Sequence, residues 1–278
     1  MAKRKAFTLI ELIVAMAVLA IVLSFAGLIF RVSIDSHRMA LANAEIMQKL
    51  RVITEQLDTD FKGVILDYGG VVKARVFTYT IDDEDGEVEM EINTDSVVVF
   101  AQGDFQSTGQ YDIDGEIVTI SGNVAALYYG PPDLDSYARL PEPRERILLR
   151  RQTILASEVS PEHSDPNGEY YATSLHQWYA GSGSADWDGW VEMPVIEPGD
   201  IKANQPMYLA KGVDNFTVYY LERDDPIGTD ALAWQRRLDN DRENIRPPRA
   251  LKFEFTLHDS RGIIKNGRTF THIVYLGS

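Results

Sequence analysis

FTLIELIVAMAVLAIVLSFAGLIF, residues 7–30, decides how the rest of this chain is read. Its 24 residues contain one charge, Glu11, and no proline. At about 1.5 Å per residue a helix of this length is roughly 36 Å long, enough to cross a hydrocarbon layer of about 30 Å with some tilt. Lys3, Arg4 and Lys5 stand immediately before it. A basic flank ahead of an apolar run keeps the short N-terminus in the cytoplasm and sends the remainder across the membrane. The run is too long for the apolar core of a secretory signal peptide, and residues 31–39, RVSIDSHRM, offer no small-residue exit for a signal peptidase. With no cysteine in the chain, a lipoprotein signal is excluded. A plain signal anchor leaves Glu11 unexplained. A charge near the bilayer centre costs on the order of 2.5–3.5 kcal/mol unless it is paired.

Lys5-Ala6-Phe7-Thr8-Leu9-Ile10-Glu11-Leu12 resembles the class III leader junction of type IV pilins and of the pseudopilins of type II secretion. The resemblance implies that residues 1–6 are a leader. It also implies cleavage by a prepilin peptidase between Ala6 and Phe7, followed by methylation of the new Phe7 amine. The residue before the cut departs from the family pattern, being Ala6 where glycine is usual. In that family the fifth mature residue, here Glu11, pairs with the N-terminal amine of a neighbouring subunit. A carboxylate and an ammonium in a low-dielectric bundle are each costly alone and far less so together.

The helix is expected to outlast the membrane. Ile46, Leu50, Ile53, Leu57, Phe61 and Val64 recur every three or four residues, an apolar stripe along one face. Glu45, Lys49, Arg51, Glu55, Gln56, Asp58 and Lys62 occupy the other faces. No proline precedes Pro131, and Gly27 is the sole glycine before Gly63, so one helix is expected from residue 7 to about residue 66.

Beyond Gly69-Gly70 the chain reads as strands. Residues 71–80 are rich in Val, Phe, Tyr and Thr; an acidic turn at 82–86 follows, and then Val88, Met90 and Ile92 alternate with Glu87, Glu89 and Glu91, predicting a hairpin with one wet face. Further strands are expected at 96–101, 116–121, 125–129, 146–154 and 208–221. Residues 247–258 and 269–276 form a closing antiparallel pair around the turn at 259–262, with Phe253, Phe255 and Leu257 inward. Residues 157–206 are the least regular part, rich in proline and glycine, with Trp178, Trp187 and Trp190. These tryptophans either pin an excursion onto the domain or form a binding surface.

The segment at 50–61, the Gly-Val-x-x-Phe strand at 212–216, the Trp234 connection and the proline-led Arg249-Ala250-Leu251 strand are together similar to the J-type minor pseudopilins and the related W-type minor pilins. The fold class expected is α+β and pilin-like: a long N-terminal helix, half transmembrane and half amphipathic, packed on antiparallel β-sheet. Residues 1–6 are the leader, 7–30 the transmembrane and filament-core helix, and 31–278 an extracytoplasmic head. Implied partners are other minor and major pseudopilins, the prepilin peptidase, the assembly platform and the inner membrane, with the head in the periplasm and later in a pseudopilus. A head this bulky favours a sparse subunit at or near the filament tip. The alternatives are a minor pilin of a type IV pilus, and a membrane-anchored adhesin that uses the tryptophan-rich loop.

Net charge is −15, and removal of Lys3, Arg4 and Lys5 with the leader takes it to −18. So acidic a surface repels phosphate backbones, and nucleic acid is not an expected partner. The chain has no serine-hydrolase elbow, phosphate-binding loop, dinucleotide fingerprint or zinc-protease motif, so no catalytic residues and no enzyme activity are expected. His258 and His272 are placed across the final hairpin from each other, as ordinary surface or packing residues. No cofactor is expected. Asp112, Asp114 and Glu116 have the opening spacing of a calcium loop but lack its distal glutamate, so a solvated acidic turn is the favoured reading.

Overall fold

The computed structural model describes residues 9–65, 77–83, 86–92, 94–113, 115–132, 141–157, 159, 168–176, 208–221, 234 and 248–276. Helix α1, Leu9–Lys62, runs unbroken for 54 residues, as an apolar and then amphipathic sequence without proline should. It ends where Gly63 approaches strand β3 so closely that a Cβ there would lie 2.2 Å from the Gln102 carbonyl oxygen. The chain past the helix is extended at Val64, which bridges to Ala101, so the apolar stripe continues into a strand-like contact and not another helical turn. Leu66 lies outside the described residues.

The strands are β1 (Phe77–Asp83), β2 (Gly86–Ile92), β3 (Val97–Gln106), β4 (Tyr111–Ile113), β5 (Glu116–Val118), β6 (Ser121–Gly130), β7 (Ile147–Leu155), β8 (Tyr170–Tyr171), β9 (Tyr208–Lys211), β10 (Val213–Leu221), β11 (Ala250–Leu257) and β12 (Arg268–Tyr275). They form an α+β architecture in which α1 lies across two sheets. The larger sheet has the order β3-β6-β7-β8, with β9 also paired to β7; the smaller is β10-β11-β12. Among the described residues every pairing is antiparallel except β7 with the two-residue β8. β1 with β2, and β4 with β5, are separate two-stranded ribbons.

Alternation in the sequence explains which face each strand buries. From the larger sheet Val97, Val99, Ala101, Ala125, Leu127 and Tyr129 point at the helix; from the smaller, Phe216, Val218, Leu251, Phe253, Phe255 and Val274 do so. Ile46, Ile53, Leu57 and Phe61 of α1 complete this one core. The Phe61 ring sits edge-on to Phe253 at 5.3 Å and tilted to Tyr129 at 5.8 Å, so one side chain ties the helix to both sheets. The opposite face of the larger sheet is also covered, with Val98, Phe100, Tyr128 and Leu149 buried beside Tyr171 and Leu175.

The acidic turn expected at 82–86 narrows, because β1 runs on to Asp83 and β2 begins at Gly86; residues 71–76 of the expected strand lie outside the described residues. Two other strands also differ from their sequence reading. The expected strand at 116–121 divides, because β5 turns back on β4 while Ser121 begins β6. The strand at 208–221 breaks at Gly212, where the chain leaves the larger sheet for the smaller one. Gly212 has φ +77°, and a Cβ there would come within 2.7 Å of the His258 carbonyl oxygen. Left-handed backbone and close approach both demand glycine.

Candidate functional site

The first functional feature is the free-standing part of α1. Burial against the head begins at Ala42; before that, the helix carries large apolar side chains open on all faces, from Leu9 at 77 % exposed to Met39 at 43 %. Burying each such side chain is worth about 1.5–3 kcal/mol, so water is not a tolerable surrounding for this many. The helix is long and apolar enough to cross a membrane. Glu11 lies in its first described turn. Ala6 and Phe7, where processing is expected, lie outside the described residues.

The second feature is the polar joint by which α1 holds the head. Asp60 lies in the last turn of α1, yet its side chain is only 4 % exposed. Arg150 of β7 donates to both of its oxygens, from Nε at 2.5 Å and from Nη2 at 3.0 Å. The Tyr129 hydroxyl of β6 donates to Oδ2, and Gln56 Nε2, one turn back on α1, donates to Oδ1 at 3.0 Å. Gln152 Oε1 accepts from the same guanidinium, from Nη1 at 3.3 Å and Nη2 at 3.2 Å. Burial pushes the Tyr129 hydroxyl far above its ordinary value, and the Asp60 charge adds to this, so it remains a donor. Burial opposes the charge on Arg150, but its bonds to Asp60 outweigh that and raise its pKa. A paired, hydrogen-bonded buried charge is tolerated where a lone one is not, and the three donors from β6 and β7 fix both the rotation and the height of α1 on the sheet.

Two outer contacts extend this joint. Asp58 Oδ1 lies 2.9 Å from His272 Nε2 on β12. Near the start of the packed half, Lys49 Nζ donates to the His258 carbonyl at 2.8 Å and pairs with Glu45 at 2.8 Å. Glu45 accepts from the Ser260 amide and hydroxyl at 2.9 and 3.0 Å. Burial tends to raise the Glu45 pKa, but Lys49 and Ser260 prevail and hold it below its ordinary value. The turn gripped by Glu45 is shaped by Asp259, fully buried, which accepts from the Ile263 and Ile264 amides.

The two C-terminal histidines do not face one another. His272 registers with Phe253 and turns inward to α1, whereas His258 lies past the end of β11. His258 Nε2 is enclosed with no hydrogen-bond partner among the described residues, 4.0 Å from Asp214, whose other oxygen pairs with Arg146. Burial lowers the His258 pKa more than Asp214 restores it.

Of the calcium candidates, Asp112 accepts the Gly115 amide at 2.9 Å as an ordinary turn, Glu116 begins β5, and Asp114 lies outside the described residues. Among the described residues no three His, Asp or Glu side chains are grouped to hold a metal ion. Trp178, Trp187 and Trp190 are also outside them. An open cleft of about 640 Å³ beside β6 is lined by backbone and neutral side chains, with Asp104 as its sole ionisable group among the described residues.

Residues 1–27 match the family described as the prokaryotic N-terminal methylation motif. No curated protein matches the chain. The matched motif and the apolar helix together support a type IV pilin-like N-terminus, which implies a prepilin peptidase, assembly with other pilin-type subunits and a structural role.

Proposed function

We propose that the chain is a minor pseudopilin, a structural subunit at or near the tip of a type II secretion pseudopilus. The peptidase removes residues 1–6 by cutting between Ala6 and Phe7, and Phe7 is N-methylated. Residues 7–30 anchor the subunit in the inner membrane before assembly and enter the filament core afterwards; residues 31–278 form the periplasmic head. Glu11 sets the register of the helix by pairing with the Phe7 amine of a neighbour. Other minor and major pseudopilins and the inner-membrane assembly platform are the partners. No cofactor takes part.

One observation carries this reading: a prepilin-type N-terminus begins a helix whose apolar part stands clear of its own head until Ala42. A bilayer satisfies such a surface before assembly, and packed helices of other subunits satisfy it afterwards. The two-sheet head favours a sparse subunit, because so bulky a body crowds a filament built from itself alone. The intact mass of the mature chain isolated from its native membrane tests the reading. It should begin at N-methyl-Phe7. A chain still starting at Met1 would mark a simple anchored protein and overturn the proposal.

A further inference from the structure

Four unpaired cations collect at one end of the head. The closed end of the β11–β12 hairpin, residues 258–267, sits where the packed half of α1 begins, because Glu45 holds the Ser260 amide and hydroxyl and Lys49 donates to the His258 carbonyl. Asp58, much further along α1, meets His272, so the hairpin runs from this end away from the apolar half of the helix. Arg261, Lys265 and Arg268 stand exposed here. Lys211 is exposed beside them, next to Gly212, whose carbonyl accepts the His258 amide. None of the four has an ion-pair partner among the described residues.

The acids around this end are already engaged. Glu45 pairs with Lys49, Glu142 with Arg144, Asp214 with Arg146, and Glu254, which registers with Thr271, with Lys252. Asp259 is buried against the Ile263 and Ile264 amides, and Glu145 accepts the Glu142 amide. The pairs cancel themselves, and the four cations outnumber the two acids that are left.

The helix adds charge to the same corner. Arg31, Asp35 and Arg38 precede Ala42 at steps of four, three and four, so they share the α1 face that Ala42 and Ile46 bury against the head. Two bases and one acid therefore lie under the head, beside the exposed side chains of Val32 and Met39. The angle between this neck and the hairpin end is basic in a chain whose net charge is −15.

Glu45 follows Phe30 by about 22 Å along the helix axis. With α1 upright, the hairpin end clears the headgroup layer. Transmembrane helices tilt by up to about 40°, and a tilt toward the head lowers the hairpin end and the Arg31–Arg38 face together onto the surface.

We infer that this corner is a docking surface for the anionic headgroups of the bilayer that the chain's own helix crosses, holding the head down before assembly. Charge complementarity selects the partner, and the anchor keeps it within reach. Attraction between Lys or Arg and an acidic leaflet decays within a Debye length, so salt or neutral lipid releases the head. The inference rests on the anchored state in the proposed function and not on the kind of filament, and insertion is scored separately.

The chain has no native cysteine, so single thiols report position. Full-length Asn266→Cys, carrying a fluorophore, is placed at one chain or fewer per vesicle, with Thr59→Cys in the last turn of α1 as control. Flotation and resistance to alkaline extraction score insertion; a chain that fails to insert overturns the anchored reading and this inference with it. A headgroup-nitroxide lipid quenches only probes close to the surface. Quenching at position 266 should be several-fold stronger in equal phosphatidylglycerol and phosphatidylcholine than in phosphatidylcholine alone. It should drop to the phosphatidylcholine level in about 1 M salt, where the Debye length is about 3 Å. Arg261→Glu with Lys265→Glu should abolish it, whereas Arg261→Lys should retain it, and position 59 should stay dark to the quencher throughout. The salt series uses no charge variant, so it decides the matter even if the double reversal unfolds. An inserted chain quenched equally in both lipids, indifferent to salt or to charge reversal in a folded variant, or quenched only when many copies share a vesicle would overturn the inference.

Discussion

Asp60 and Arg150, ninety positions apart in sequence, meet as a two-point ion pair that fastens the last turn of α1 to the middle of the larger sheet. The pair lies inside the core that the helix shares with both sheets, and the Tyr129 hydroxyl closes it. Together with the Glu45–Ser260 and Asp58–His272 contacts, this joint holds the head to the helix whose apolar half stands clear of it.

Removing one partner strands the other. Asp60→Ala should destabilise the head by about 3–5 kcal/mol, because Arg150 would remain charged in a site without a counter-ion. Replacing both with apolar residues of similar volume, Asp60→Leu with Arg150→Met, should recover most of that loss. Urea unfolding of the full chain in detergent measures both. Equal losses in the single and double variants would show that the pair is not energetically coupled.

The extent of sequence legibility follows from how local each signal is. The membrane run and the stripe from Ile46 to Phe61 were readable because helical spacing is a property of a few neighbouring residues. The alternation of Phe253, Phe255 and Leu257 likewise showed the inner face of β11. Asp60 escaped, although its position three residues after Leu57 places it on the buried face, because an aspartate beside core positions has no meaning until Arg150 and Tyr129 are known to face it. Their approach depends on β6 and β7 lying next to each other under the helix, which local pattern does not encode. The same holds for Asp58 with His272 and for the change of sheet at Gly212.

Gly212→Ala should cost more than about 1 kcal/mol, because the new methyl would have to accept a left-handed backbone and displace the His258 carbonyl. Gly27→Ala is the matched control, with nothing within 4 Å of the added carbon. If thermal unfolding shifted equally for both, the passage between sheets would not need glycine.

Acid should loosen the head in two separate windows. His258 has a depressed pKa in the fold, so the unfolded chain binds a proton first. Its share of stability is complete above the ordinary value of about 6.5 and falls as pH drops through that value toward the folded one. His258→Gln should flatten that upper slope. Glu169 works lower down. It accepts from the Thr108 amide and hydroxyl, the Gly109 amide at 2.9 Å and the Tyr111 hydroxyl at 2.8 Å. Burial would raise its pKa, but these donors together hold it below the ordinary carboxylate value. Its contribution is therefore present above about 4.5 and is lost as pH falls further. Glu169→Gln should flatten only this lower limb. Stability against pH in matched urea series separates the two, and a single shared slope unaffected by either change would contradict the assignment.

Glu11→Ala tests the N-terminal helix apart from the head. Glu11 lies in the first turn of a helix whose contact with the head begins 31 residues later, at Ala42, so the substitution should leave urea unfolding of the head unchanged. Incorporation into filaments should fall at least tenfold, because the Phe7 ammonium of a neighbour would enter an apolar bundle without its carboxylate. Glu11→Asp keeps the charge but shortens its reach, and it should fall between the two. Sheared filament fractions, probed for this chain and compared with its amount in membranes, provide the readout. Full incorporation of the alanine variant would remove Glu11 from the assembly mechanism and leave the helix to be held by apolar packing alone.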